Sequence, residues 1–81
     1  MKFNPGLITV TLIKKSQHIK AWLVECDGEL KSVTTSNRYR KDVTQTVRYA
    51  INKALRLDDS DYMFLGNKHV NGQWITEWMR L

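Results

Sequence analysis

Residues 19–36 read IKAWLVECDGELKSVTTS, with the Asp27-Gly28 pair near their centre. An Asp-Gly pair between two β-forming runs is typical of a two-residue type I′ hairpin, because both turn residues adopt a positive φ there. The pattern predicts strands over residues 19–26 and 29–35. Neither face of this pair is uniformly apolar, so the sequence alone does not show which face packs on a core. The turn fixes the register, with Cys26 opposite Glu29, Val24 opposite Lys31, Trp22 opposite Val33 and Lys20 opposite Thr35.

One strand is predicted before this hairpin and one helix after it. Residues 7–13 (LITVTLI) are rich in β-branched side chains, which favour a strand. Downstream of the hairpin the apolar spacing changes to that of a helix, with Asp42 as a suitable N-cap and an end near Leu57. The apolar stripe of this helix consists of Val43, Val47, Ala50, Ile51 and Ala54.

A second hairpin is predicted at the end of the chain, where Asn71-Gly72 separates residues 62–70 from residues 73–81. Asn-Gly is the other pair of residues that favours a type I′ turn. A two-residue turn at this point places Trp74 opposite His69 and Trp78 opposite Leu65.

The predicted elements form a single α+β domain over residues 1–81. One helix packs on a face of a small antiparallel sheet, in the order β-β-β-α-β-β, because both layers must cover their apolar sides. The alternative for the fourth strand is a short helix that begins at Ser60 and ends at Gly66.

Composition narrows the class of protein. The hydrophobic fraction of 42% and the charged fraction of 26% are ordinary for a folded domain. The only cysteine, Cys26, cannot form an internal disulfide, so we expect a reducing, cytoplasmic setting and a half-buried strand residue. The apolar run at residues 7–13 is too short to cross a bilayer, so no membrane partner is expected. The net charge of +5 favours nucleic acid or an acidic protein surface as the partner.

No constellation for catalysis or for a bound cofactor stands out in the sequence. His18, His69 and Cys26 do not have metal-ligand spacing, and no nucleophile is placed with a base and an orienting group. The acidic run at residues 58–61 lacks the spacing of a calcium loop, and the glycines do not form a phosphate-binding loop. We therefore expect a protein that is not an enzyme and that holds no metal or cofactor.

A basic segment between the third strand and the helix is the strongest functional signal. Positive charge at a helix N-terminus opposes the helix dipole, and a bound phosphate would compensate for it. On the predicted helix, Lys41, Gln45, Arg48, Asn52 and Arg56 share the side opposite the apolar stripe; the plain alternative is a solvated face. We predict a DNA- or RNA-binding surface in which cations contact phosphate and an aromatic ring stacks on a base. Its residues are Lys14, Lys15, Arg38, Tyr39, Arg40, Lys41, Arg48, Lys53 and Arg56.

Three tryptophans are many for a core of this size. Each is interpreted first as a core residue, and Trp22, Trp74 and Trp78 are candidate anchors of a protein interface where they are exposed. The alternative function is therefore that of a phage- or mobile-element-type protein that binds and inhibits a host protein. A homodimer through the edge of the first or the last strand is compatible with both functions, because an open sheet has free edges.

Three antiparallel strands followed by a helix, with basic loop residues, resemble small DNA-reading domains that lay a sheet in the major groove. The same order resembles the beginning of ribonuclease H-like folds, but the first strand carries Thr9 and Thr11 where that catalysis uses an aspartate. The resemblance is topological and covers about half of the chain, so it adds little to the functional expectation.

Overall fold

The elements follow one another in the predicted order. The computed structural model describes residues 6–37 and 43–81. All strands pair antiparallel in one sheet of order β3-β2-β1-β5-β4, and the helix packs on one face of it. The predicted α+β class is thus confirmed. The elements are β1 (Leu7–Lys15), β2 (Ile19–Cys26), β3 (Glu29–Ser36), α1 (Val43–Leu55), a 3₁₀ turn (Asp59–Asp61), β4 (Tyr62–Val70) and β5 (Gln73–Arg80).

Both two-residue turns have the backbone conformation that their sequences predict. The φ angles are 52° at Asp27 and 84° at Gly28, and 52° at Asn71 and 80° at Gly72. Positive φ at both central residues defines the type I′ turn. The β2–β3 register is the predicted one along the whole ladder.

A bulge in β4 changes the register of the second hairpin. Trp74 lies opposite His69 as predicted, but Trp78 lies opposite Phe64, because Leu65 is the extra residue of the bulge. The prediction of Leu65 as the partner of Trp78 is therefore wrong. The alternative short helix is limited to the 3₁₀ turn Asp59–Asp61, after which β4 begins.

The buried face of the sheet is the face that carries Trp22. Lys20, Glu29, Lys31 and Thr35 made this face look mixed in the sequence, but Thr35 is buried in the core, as is Thr76 of β5. The indole N–H of Trp22 donates to Thr35 Oγ1 at 2.8 Å, and that of Trp78 donates to Thr76 Oγ1 at 2.9 Å. The threonines thus satisfy donors that would otherwise be unpaired inside the core. The rest of the core is formed by Ile8, Val10, Val24, Cys26, Val33, Val47, Ala50, Ile51, Ala54 and Tyr62.

Helix α1 ends at Leu55, two residues before the predicted end, and Arg56 follows it with a left-handed φ of 57°. Val43, the first residue of α1, is exposed and does not join the apolar stripe. The predicted N-cap, Asp42, lies outside the described residues. In the part of the chain that the structure describes, no helix has the length and apolarity needed to cross a membrane.

Among the described strands, the free edges of the sheet are β3 and β4. β1 lies between β2 and β5, and β5 lies between β1 and β4. The prediction that a homodimer forms through the edge of the first or the last strand is therefore wrong, because both strands lie inside the sheet. Local turns define the two hairpins, but they do not show that β1 and β5 pair with each other from opposite ends of the chain.

Candidate nucleic-acid interface

The lysines of the first hairpin gather at one end of the sheet. We name this end, where β1 and β3 finish and β2 begins, the Lys15 end, and the opposite end, with the β2–β3 turn, the Asp27 end. Lys14 and Lys15 are exposed, as predicted for phosphate contacts, and Lys15 pairs in register with Lys20. Three cations therefore lie at the Lys15 end, with Lys15 and Lys20 on one face of the sheet and Lys14 on the other.

The carboxylates lie towards the Asp27 end. Glu25 and Glu77 both pair with Thr9, the third residue of β1, while Asp27 and Glu29 belong to the β2–β3 turn region. The remaining described carboxylates, Asp58, Asp59 and Asp61, precede β4, which begins at the Asp27 end. Among residues 6–37 and 43–81, the Lys15 end therefore has no carboxylate.

Asn37 joins the end of β3 to the loop between β1 and β2. Its backbone N–H donates to the carbonyl of His18 at 2.9 Å, and its side-chain amide donates to the carbonyls of Ser16 and Gln17 at 2.8 and 2.9 Å. Its Oδ1 accepts a hydrogen bond from Lys20 Nζ at 3.0 Å. The chain thus leaves β3 from a fixed point beside Lys20. The next four predicted binding residues, Arg38, Tyr39, Arg40 and Lys41, lie outside the described residues.

Arg48 is part of a packed contact rather than a free surface cation. Its guanidinium carbon lies 5.4 Å from the ring centre of Tyr62 and 5.0 Å from that of Trp78, in the range of cation–π attraction. Its Nη1 donates to the carbonyl of Asp59 at 3.3 Å. Helical periodicity did not show that β4 and the 3₁₀ turn approach this side of α1, and the role of Arg48 as a phosphate contact stays a prediction.

Asn52 takes part in the same contact. Its amide donates to Asp59 Oδ1 at 2.7 Å, and its Oδ1 accepts a hydrogen bond from the hydroxyl of Tyr62 at 2.7 Å. Burial, and then the nearby carboxylate of Asp59, raises the pKa of Tyr62 to about 12. The predicted continuous basic band on α1 is therefore interrupted at its centre.

Lys53 and Arg56 lie at a second surface site together with Lys31, which was not among the predicted binding residues. The three cations line a shallow depression of about 510 Å³ that α1 and the edge strand β3 border together with Ile13 and Ala21 of the neighbouring strands. None of these three cations forms an ion pair with a described residue. The ion pair found among the described residues joins Lys68 and Glu77 at 3.6 Å. The predicted register places Lys31 opposite Val24. From this pairing it could have been predicted that Lys31 shares a face of the sheet with core residues.

Trp22 and Trp78 are fully buried, so their interpretation as interface anchors is wrong. Core packing and the hydrogen bonds to threonine leave none of their surface for a partner. Trp74 is half-buried, with its ring centre 6.1 Å from that of Trp22. It is the one tryptophan that reaches solvent, and its position beside the Asn71-Gly72 turn places it at the Lys15 end.

The groups considered for metal or thiol chemistry are few. Cys26 is a buried strand residue, and its burial, followed by the Asp27 carboxylate, raises the pKa of its thiol. A raised pKa keeps a thiol protonated and lowers its reactivity. In the described ranges, no three side chains of His, Cys, Asp or Glu come together as a set of metal ligands.

Comparison with known proteins does not identify a family. No protein-family model matches the chain, and the searches of curated proteins and of solved structures also gave no match. The likeness to DNA-reading domains and to ribonuclease H-like folds thus remains a topological resemblance, and function has to be argued from the geometry of the chain.

Proposed function

We propose that this chain is a small, non-catalytic nucleic-acid-binding protein that contacts phosphate groups through the Lys15 end. The observation that supports this proposal is the separation of charge, with Lys14, Lys15 and Lys20 at an end that has no described carboxylate. Such an arrangement attracts a polyanion and directs its approach. In the sequence, Arg38, Arg40 and Lys41 follow directly after Asn37, the anchored last residue of this end.

The chemistry of this end favours contact with the nucleic-acid backbone. Lysine is a point charge on a flexible stem, which binds phosphate without reading base edges. The exposed part of Trp74 offers a surface on which one base could stack, and stacking tolerates every base. We therefore expect binding that depends strongly on salt and weakly on sequence, with phosphate contacts as the main source of affinity.

The test is the salt dependence of binding to a labelled oligonucleotide, measured by fluorescence anisotropy. On duplex DNA each phosphate contact contributes about 0.9 to the slope of log affinity against log salt, so Lys14→Gln combined with Lys15→Gln is expected to reduce the slope by about 2. The matched control is Lys68→Gln, which removes a cation that Glu77 already neutralises. Affinity that does not change with salt, or a double variant with the wild-type slope, would contradict the proposal.

The alternative function, inhibition of a host protein, would direct the same cations to an acidic protein surface. Of its three proposed anchors only Trp74 remains, since Trp22 and Trp78 are in the core. Affinity purification with and without nuclease separates the two functions. One protein recovered equally after nuclease treatment favours the inhibitor, whereas loss of the captured material on nuclease treatment favours nucleic-acid binding.

A further inference from the structure

The edge strand β3 presents a regular set of backbone groups to its surroundings. Among the described strands, β3 pairs with β2 alone. In a two-residue hairpin the residues that flank the turn form a hydrogen-bonded pair, and such pairs alternate with non-bonded pairs along the ladder. Counting from Cys26 and Glu29, the backbone groups of Leu30, Ser32 and Thr34 therefore point away from β2. An additional strand would pair with these groups.

The space beside this edge is open and bordered by cations. Ser32 and Thr34 of β3 line the depression of about 510 Å³ on one side, and Lys53 and Arg56 of the α1 region line it on the other. Lys31 lies in the same depression, and no described carboxylate forms an ion pair with any of the three cations. A strand added to β3 would occupy this depression with one of its faces towards the cations.

Arg56 stands at a position where glycine would be the favourable residue. It directly follows α1 with a φ of 57°, and a side chain in the left-handed region is less favourable than glycine there. The structure gives its side chain no hydrogen bond or ion pair with a described residue that offsets this cost. The cation of Arg56 is favourable beside the negative end of the α1 dipole, and among the described residues it is not neutralised by a carboxylate.

The opposite edge of the sheet is less suitable for an added strand. The ladder of β4 is interrupted by the bulge at Leu65, whereas β3 pairs with β2 without a shift over all eight residues. Bulges are a means by which edge strands avoid further pairing. The uninterrupted edge with cations beside it is therefore the β3 edge.

We propose that the β3 edge accepts an extended, acidic segment of a partner protein as a sixth strand. Acidic side chains at alternate positions of that segment would face Lys31, Lys53 and Arg56. A second copy of this chain fits less well: antiparallel pairing of two β3 edges about a two-fold axis normal to the sheet would bring both sets of cations together. The proposal concerns a surface separate from the Lys15 end and does not depend on nucleic-acid binding.

The probe is a synthetic peptide in which Glu and Thr alternate, titrated into isotope-labelled protein and followed by NMR. We expect chemical-shift changes at the amides of Leu30, Ser32 and Thr34. Ser32→Pro removes an outward N–H without removing a bond to β2, because proline is tolerated at the free side of an edge strand. It is expected to weaken peptide binding by about tenfold or more, whereas the matched control Ser32→Ala keeps wild-type affinity.

Two further arms test the charge and the independence of the site. Lys53→Gln is expected to weaken peptide binding several-fold, while Lys14→Gln with Lys15→Gln leaves it unchanged. The proposal is overturned by the absence of peptide binding, by Ser32→Pro binding as wild type does, or by equal binding of a peptide with Lys in place of Glu. Loss of oligonucleotide binding in Lys53→Gln with no effect on the peptide would also overturn it, because the depression would then be a phosphate site.

Discussion

Two threonines make it possible to bury two tryptophans in a small core. Thr35 and Thr76 are almost completely buried, and each accepts a hydrogen bond from the indole N–H of a fully buried ring. A buried donor without a partner loses its hydration and gains nothing in return, so these threonines belong to the core in energetic terms. In the sequence they look like surface residues of a half-solvated strand.

Replacement of Thr35 by valine keeps the shape of the side chain and removes the acceptor for Trp22. We expect the free energy of unfolding to fall by about 1–3 kcal/mol, because the indole N–H is left unpaired in the core. Urea-induced unfolding measures this change. Thr34→Val, at the exposed neighbouring position of β3, is the control and should change stability little. A Thr35→Val variant as stable as the wild type would show that the hydrogen bond contributes nothing.

Replacement of Arg56 by glycine should stabilise the chain. Because glycine adopts a positive φ without steric cost, we expect the free energy of unfolding to rise by about 1 kcal/mol. Arg56→Ala removes the same charge but keeps a side chain at a φ of 57°, so it should not show this gain. Equal stability of the two variants would mean that charge, and not backbone conformation, governs this position.

At the scale of elements, α1 is joined to β4 by a polar contact as well as by the core. Arg48 lies against the rings of Tyr62 and Trp78, and Asn52 bridges Asp59 and Tyr62. Burial, and then the carboxylate of Asp59, raises the pKa of Tyr62 to about 12 and keeps its hydroxyl protonated, while the Arg48 guanidinium acts in the opposite direction. This contact, rather than an exposed basic band, occupies the middle of the polar side of α1.

The contact should make stability depend on alkaline pH. The pKa of Tyr62 rises from 10.0 to about 12 on folding, so above pH 10 the unfolded chain releases this proton while the folded chain keeps it. The contribution of Tyr62 is complete below pH 10 and is lost as the pH rises towards 12. Urea unfolding at several pH values should show a shallower alkaline decline for Tyr62→Phe than for the wild type; identical declines would contradict the assignment.

The elements themselves were predictable wherever the signal is local. Asp27-Gly28 and Asn71-Gly72 determined both turns, and the period of Val47, Ala50 and Ile51 determined the helix. The bulge at Leu65 was missed, because a bulge depends on how a strand fits its neighbours and leaves no fixed residue pair in the sequence.

At the scale of the whole molecule, the strand order decides which charges meet. The cations of the binding surface were predicted from their closeness along the chain, but the fold places them in three different environments. Lys14 and Lys15 lie at a basic end, Arg48 in a packed contact, and Lys53 and Arg56 beside the β3 edge. Lys31 was missed because its closeness to α1 follows from tertiary packing, which hairpin patterns do not contain.

Lys14, Lys15 and Lys20 at one end of the strands and the described carboxylates at the other contribute a permanent electric dipole moment along the strands. In the electric field of an anionic polymer, this dipole experiences a torque that turns the Lys15 end towards the polymer before contact is made. Encounters are then oriented from the start, and a larger fraction of collisions is productive. Added salt would therefore slow capture more than it hastens release.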